Sequence, residues 1–336
     1  MSRRTVFITA IPIIILMLFG GIGVVASRLD DGEGAEHGAG SNDGAAFAIS
    51  VPVKAKWEAK AAANATFTYK IEPPHTDRAR TVELTREKIN LDNQRDVRIA
   101  KSRSNAPDFG FLVNNDAKAE RVLIDGLTAS ECTEYGGYID GASDWWICNS
   151  TLHLAKDASQ HGLRIARGNR IRISDTIIDS HLADKTTLWV LNGSDIELRN
   201  VKLVGGRNWF SINPENPDLP DGHVTNVIIA DCWIDCDQDW PNAMEFMPGV
   251  ENVTITNLHV RGVKPPIGVW ASVGGVAGAK NVMWKDIWIP APGQAADKPF
   301  DELEWVKLRD DDWDRIVTHK GQSRDAAIAN SIGPLP

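Results

Sequence analysis

The chain has 336 residues, 43% of them hydrophobic and 24% charged, with 28 glycines, 17 prolines, 4 cysteines and a formal net charge of -9. This balance excludes a disordered chain, and the glycines lack the collagen period. The negative charge argues against nucleic acid as a partner, because phosphate contacts need a basic surface. Four cysteines are too few for a disulfide scaffold of this length.

Arg3 and Arg4 precede a charge-free stretch over 5–27. As a helix it is long enough to cross a bilayer, which takes about 20 residues. Small residues at Val24 and Ala26 fit cleavage after Ala26. Residues 1–27 therefore read as a signal peptide or a retained signal anchor. The pair Arg3–Arg4 before Val6 and Phe7 faintly echoes a twin-arginine signal, but the stretch is very apolar for that route. Either way the basic end stays in the cytoplasm and the rest is exported, membrane-anchored or released. The G-x-G-x-x-A at Gly21, Gly23 and Ala26 has no strand before it, so it is not a nucleotide site. Residues 28–48, rich in Gly, Ala, Asp and Glu, read as a flexible linker.

The body, 49–300, is a repeat. Eight segments begin at Val97, Val122, Trp145, Ile171, Ile196, Val227, Val253 and Val282, spaced 25, 23, 26, 25, 31, 26 and 29 residues apart. Counting each start as zero, positions zero, +2 and +7 are apolar in the last five. Position +4 holds Asn149, Asp175, Asn200, Asp231, Asn257 and Asp286 in the last six, and Lys101 and Gly126 in the first two. Alternating apolar residues mean a strand with one buried face. Asn or Asp at +4 means a corner, because these residues tolerate left-handed backbone, and stacked at one corner they can bond each other. A further strand begins eight residues upstream of zero at Ile89, Gly137, Leu163 and Leu188. Phe111, Phe210, Met244 and Ile267 hold that place with longer connections. Three short strands per turn make an all-β chain, a right-handed parallel β-helix of about eight rungs, roughly 40 Å long. Leucine-rich and helical repeats lack their consensus and period here. A short helix over 53–65 is expected to cap one end, and the charged segment 301–336 to form the cap or tail at the other.

The segments D-I-E-L-R-N-V-K-L (195–203), N-V-I-I-A-D-C-W-I (226–234) and N-V-T-I-T-N-L-H-V (252–260) resemble rungs of the pectate lyase-like superfamily of right-handed β-helices. That superfamily includes pectin and alginate lyases, polygalacturonases, C5-epimerases and tailspikes. The resemblance covers about residues 85–290. It implies that a polysaccharide lies on the outer face of the strand upstream of zero. The central outward column there reads Asn90, Leu112, Tyr138, Arg164, Trp189, Ser211, Glu245 and Gly268. Beside it run His161, Lys185, Arg207, Trp209 and Asn213. Aromatic faces stack on sugar rings and arginine binds a carboxylate bidentately. The long connections 213–223 and 270–279 are placed to wall the column. The alternative is the ordinary charged surface of a rod.

Two reactions are open. A lyase needs a cation to neutralise a uronate carboxylate and a base for the neighbouring proton. Arg164, Lys185, Arg207 and Tyr138 have the right chemistry. A hydrolase needs two opposed carboxylates, for which Glu245 with Asp237 or Asp239 serves. Polygalacturonases are excluded, because Asp221–Gly222–His223 lacks the second glycine and the N-T-D motif is missing. Asp235, Asp237 and Asp239 stand in D-x-D-x-D spacing, and calcium is the one cofactor they suggest, although Trp240 and Phe246 stand where an EF-hand needs Gly and Glu. Asp310, Asp311, Asp312 and Asp314 read as a solvated tail. His153 and His259 read as hydrogen-bonded surface residues. Cys132 with Cys148 and Cys232 with Cys236 are the simplest disulfides, against four small buried thiols. The expected function is therefore action on, or binding of, an extracellular uronate-containing polysaccharide. The catalytic candidates are Arg164, Lys185, Arg207 and Glu245, and the substrate contacts Tyr138, His161, Trp189, Trp209 and Asn213. The alternative is a non-catalytic surface β-helix that binds glycan or holds a structural position.

Overall fold

The computed structural model describes residues 79–80, 89–100, 102–104, 109–114, 118–180, 185–205, 210–214, 222–236, 242–262, 265–271, 276–295 and 297–335, all within the compact unit Ala55–Pro336. The expected signal or anchor, the linker and the helix over 53–65 lie outside these residues. Among the described residues no helix is long and apolar enough to cross a membrane.

The fold is a right-handed parallel β-helix. In its long sheet, eight successive strands stack in parallel: Arg95–Ala100, Ala119–Asp125, Ala142–Cys148, Gly168–Ser180, Gly193–Gly205, Val224–Ala230, Val250–Arg261 and Lys280–Pro290. The apolar repeat sets their register. Val97 pairs with Val122, then Trp145, Ile171, Ile196, Val227, Val253 and Val282, each one rung on. Positions zero and +2 point inward and are buried in every rung, from Val97 and Ile99 to Val282 and Trp284. Each such side chain contributes about 1.5–3 kcal/mol of burial.

The corners are set by left-handed residues. Gly126, Asn149, Asp175, Asn200, Asp231, Asn257 and Asp286 at +4 all have positive φ. Their side chains link rungs: the Asn149, Asn200 and Asn257 amides donate to Asp125, Asp175 and Asp231 at 2.9, 2.6 and 2.8 Å. A second left-handed column runs one residue before zero, through Asp96, Arg121, Asp144, Arg170, Asp195, Asn226, Asn252 and Asn281. Here Arg121 reaches Asp96, Arg170 reaches Asp144, and Asn226, Asn252 and Asn281 each donate to the residue one rung below.

The second sheet is short-stranded: Ile89–Asn90, Phe109–Leu112, Tyr135–Asp140, Leu163–Ala166, Leu188–Val190, Phe210–Ile212, Met244–Phe246, Ile267–Trp270 and Val317–Lys320. Gly137 faces inward between Phe111 and Leu163, and a Cβ there would overlap the Phe111 ring. Gly137→Ala is expected to cost about 1–3 kcal/mol by overpacking, read as a lower thermal midpoint. An unchanged midpoint would mean that the Phe111 ring has room to move.

The last strand of this sheet comes from the C-terminal segment. Trp305–Lys307 pairs antiparallel with Lys280–Pro290, Val317–Lys320 extends the short sheet as a ninth strand, and Gly333–Pro334 pairs with Met283 and Trp284. Leu308, Trp313, Ile316, Ala327 and Ile332 join the core cluster over the last rung. The acidic run therefore belongs to this cap, with Asp311 and Asp314 exposed and Asp310 tied into the last rung. The Asp310 carboxylate accepts from the Asp286 N–H at 3.0 Å and its carbonyl accepts from Trp284 Nε1 at 3.1 Å, so it closes the last corner.

Two further expectations are corrected. None of the four cysteines forms a disulfide, and all four are buried. Cys232 and Cys236 share a rung but turn to different carbonyls, those of Ala230 and Arg261, while Cys148 turns to the Asp125 carboxylate. Burial pushes the Cys132, Cys148 and Cys232 thiols up to about 12. His153 is hydrogen-bonded, to Asp179 at 3.1 Å. His259 is not: its Nδ1 has no hydrogen-bond partner. The register instead sets Trp233 and Trp288 on the rungs either side of it, and its ring stacks on both, at 5.8 and 5.5 Å, with Trp305 edge-on at 4.9 Å.

Candidate functional site

The short sheet carries the outward column in the expected order. Asn90 pairs with Leu112, then Tyr138, Arg164, Trp189, Ser211, Glu245 and Gly268, and Thr318 continues it. Inward neighbours such as Leu163, Ile165, Leu188 and Val190 are fully buried. This anchors each strand by the residues on either side of the outward one, so the outward side chains have fixed origins about 4.8 Å apart.

Arg164 lies at the centre of one cluster. Its guanidinium sits 4.7 Å from the Tyr138 ring centroid. Its side chain is only 12% exposed, and its Nη1 is 3.7 Å from Asp140 Oδ2 yet makes no hydrogen bond. Asp140 is 4% exposed at its side chain and accepts from Arg167 Nε at 2.7 Å and from the Tyr138 hydroxyl at 3.5 Å. One buried carboxylate thus faces two guanidinium groups. It fixes Arg164 without consuming its Nη1 donor.

Aromatic rings surround this arginine. Phe109 stacks on Tyr135 at 5.5 Å, Tyr135 meets Tyr138 at 5.1 Å and His161 at 5.9 Å, and His161 meets Trp189 edge-on at 4.6 Å. The Tyr135 hydroxyl donates to Gln160 at 3.2 Å. Burial raises the Tyr135 and Tyr138 phenols above their ordinary range, although Arg164 pulls the other way. Neither is a ready base at neutral pH.

His161 is neutral in this setting. Burial, reinforced by the charges of Lys185 and Arg164, draws its pKa down to about 4, and its Nδ1 has no hydrogen-bond partner. The consequence for stability has a definite sign. An unfolded histidine titrates near 6.5, so between 6.5 and about 4 the unfolded chain holds a proton the folded chain lacks. Stability therefore falls as pH drops through that window and this contribution levels off below it. His259, also lowered to about 4 by burial, adds a contribution of the same sign. The urea midpoint of His161→Phe is expected to lose part of the wild-type slope between these pH values. A slope equal to wild type would mean that His161 is not held neutral.

Glu245 lies elsewhere on the column. Three rungs separate it from Arg164, about 14 Å along the axis. Its side chain is 8% exposed and pairs with Lys320 Nζ from the ninth strand. Lys320 also lies 4.6 Å from the Trp270 ring centroid. Arg164 and Glu245 are therefore not brought together, while Arg164, Lys185, His161, Tyr138 and Trp189 form one group. Asn213 ends the strand at Ile212, its N–H donating to Val190 at 2.9 Å. Arg207, Trp209, Asp237 and Asp239 lie outside the described residues. Asp235, the described member of the expected calcium loop, has both oxygens held by Arg261, at 2.6 and 2.5 Å. Among the described residues no group of three His, Cys, Asp or Glu side chains could hold a metal ion.

Sequence reasoning missed Phe109, Tyr135, Asp140 and Lys320. Phe109 and Tyr135 pair in register two residues before the inward positions Phe111 and Gly137 and three before the outward Leu112 and Tyr138, so a count of the outward column passes over them. Asp140 sits just beyond its strand's inward pair and is invisible to an outward-column count.

No protein-family model matches the sequence, and no curated protein matches it. Three solved structures are similar at the level of chain tracing. The surface adhesin PfbA of Streptococcus pneumoniae matches with a TM-score of 0.32 and 11% identity, over 60% of this chain and 59% of that one. ORF18 of Geobacillus virus E2 matches with a TM-score of 0.21 and 11% identity, over 69% and 55%. The catalytic domain of a GH87 alpha-1,3-glucanase in complex with tetrasaccharides matches with a TM-score of 0.24 and 10% identity, over 70% and 58%. The chain spans less than two thirds of the length of each.

Proposed function

We propose that this chain is an exported β-helix of the pectate lyase-like superfamily that binds an acidic, uronate-containing polysaccharide along the outer face of its short sheet. The observation that carries the reading is Arg164, a nearly buried guanidinium fixed over Tyr138, whose Nη1 lies 3.7 Å from Asp140 but makes no hydrogen bond among the described residues. A buried donor left without a hydrogen bond costs about 1–3 kcal/mol, and a ligand carboxylate would relieve that cost through a charge-assisted hydrogen bond. Lys185 and Arg167 add positive charge in a protein whose net charge is -9, and Tyr138 and Trp189 offer rings for sugar faces. His161, neutral at physiological pH, adds hydrogen bonding without repelling Arg164.

Turnover is the second reading, and Glu245 on the same column favours it. The raised Tyr138 phenol weighs against elimination through that residue. Both readings meet in one experiment. The purified full-length chain is incubated with polygalacturonate, alginate and the neutral glucan dextran. Retention on the acidic polymers, without rise in reducing ends or in unsaturated-uronate absorbance, is the expected result. Reducing ends would favour hydrolysis through Glu245, and unsaturated uronate would favour elimination. Equal retention on dextran, or none on any polymer, would overturn the acidic-glycan reading.

A further inference from the structure

Glu245 and Lys320 form a second polar group on the same face, with a composition unlike that around Arg164. Lys320, two residues beyond Thr318 on the ninth strand, reaches Glu245 across the strand that carries Gly268, which stands in register between Glu245 and Thr318. Gly268 has no side chain, and that place is taken by the Asn242 amide. A Cβ on Gly268 would come within 2.6 Å of Asn242 Oδ1. Asn242 is 1% exposed, and its Nδ2 donates to the Pro265 carbonyl at 2.7 Å. That bond fixes the amide so that Oδ1 is the atom turned over Gly268, and Oδ1 has no hydrogen-bond partner. Trp270, in register with Lys320, has a buried Nε1 that likewise lacks one.

The two orphan atoms are of opposite type. Asn242 Oδ1 accepts and Trp270 Nε1 donates. The adjoining Glu245 carboxylate and Lys320 ammonium cancel in charge. A carboxylate ligand has no proton to give Asn242 and would face Glu245. A hydroxyl both donates and accepts, so the hydroxyls of a neutral sugar match both types of atom. We propose that the C-terminal strand completes a second subsite, built on Asn242, Glu245, Trp270 and Lys320, that takes a neutral, hydroxyl-bearing sugar unit. The subsite rests on the glycan reading of the Arg164 cluster and extends it: the face reads an acidic unit at Arg164 and a neutral unit about three rungs away.

The test compares two polymers on the full-length chain by calorimetric titration: polygalacturonate, in which every unit is acidic, and hyaluronan, in which uronate alternates with a neutral N-acetylhexosamine. Trp270→Phe keeps the ring and removes the donor, and Lys320→Met keeps the length and removes the charge. Both are expected to weaken hyaluronan binding roughly fivefold, the worth of one hydrogen bond, and to leave polygalacturonate binding unchanged. Arg164→Gln is expected to weaken both. If Trp270→Phe, with an unchanged thermal midpoint, weakens neither polymer or both equally while Arg164→Gln still acts, the second subsite is wrong and the Arg164 site stands. If the wild-type chain binds polygalacturonate and not hyaluronan, the second subsite is likewise wrong. If Arg164→Gln changes neither, the glycan reading itself fails and this subsite with it.

Discussion

Replacing Arg164 with glutamine is expected to weaken binding of an acidic polysaccharide by roughly 10- to 100-fold, from the 1.5–3 kcal/mol typical of a hydrogen bond to a charged group. Three features of the site set this expectation. The guanidinium is held by Asp140 and Tyr138, so little ordering is left to do on binding. Its Nη1 donor is already desolvated. Glutamine keeps a polar, planar end but cannot present the charged fork. The same variant is expected to fold, because Arg164 faces outward and its inward neighbours Leu163 and Ile165 carry the packing. Asp140 retains Arg167 as a partner at 2.7 Å. Equilibrium titration with polygalacturonate reads the loss, and unchanged affinity in the folded variant would remove Arg164 from the site.

Trp145→Ala is expected to be the most damaging single core change, at about 3–5 kcal/mol against a typical domain stability of about 5–15 kcal/mol. Trp145 is fully buried at the zero position of the third rung, lies 6.2 Å from the Phe111 ring, and donates from Nε1 to the Ala119 carbonyl at 3.1 Å. Removing it leaves a cavity and an orphan carbonyl together. Each rung of a solenoid touches only its neighbours, so the loss falls on the junction between the first rungs and the rest. The thermal midpoint is expected to drop on the order of 10 °C, with the aromatic cluster at Tyr135 and Tyr138 loosened because it stands on the same turn. A drop of only a degree or two would mean that the third rung collapses around the smaller side chain.

The rungs were legible because their physics is local and repeated. Apolar residues at zero and +2 can be read from spacing alone, and Asn or Asp at +4 has a conformational reason to be there, which the positive φ values bear out. The second left-handed column was not legible, because Arg121 and Arg170 are not turn residues. They are tolerated where Asp96 and Asp144, one rung below, hold their guanidinium groups. The ninth strand was missed for a related reason. Val317–Lys320 has no following rung to repeat, so nothing in its spacing marks it. Lys320 and its partnership with Glu245 were therefore out of reach across 75 residues of chain. The outward column at Tyr138, Arg164 and Trp189 followed from the same period as the core, whereas the Asp140 interaction with Arg164 depends on how a long side chain bends, which period does not determine. The thiols illustrate the same limit. Two cysteines four residues apart at a corner can point to different carbonyls, as Cys232 and Cys236 do.

The most direct measurement is side-chain oxidative footprinting of the full-length chain with and without bound polygalacturonate. Protection is expected at Tyr138, His161 and Trp189 on the short-sheet face, with Trp146 and Trp233 on the long sheet oxidised as fast as in the free protein. Protection at Trp146 and Trp233, with Tyr138 and Trp189 unchanged, would contradict binding along the short sheet.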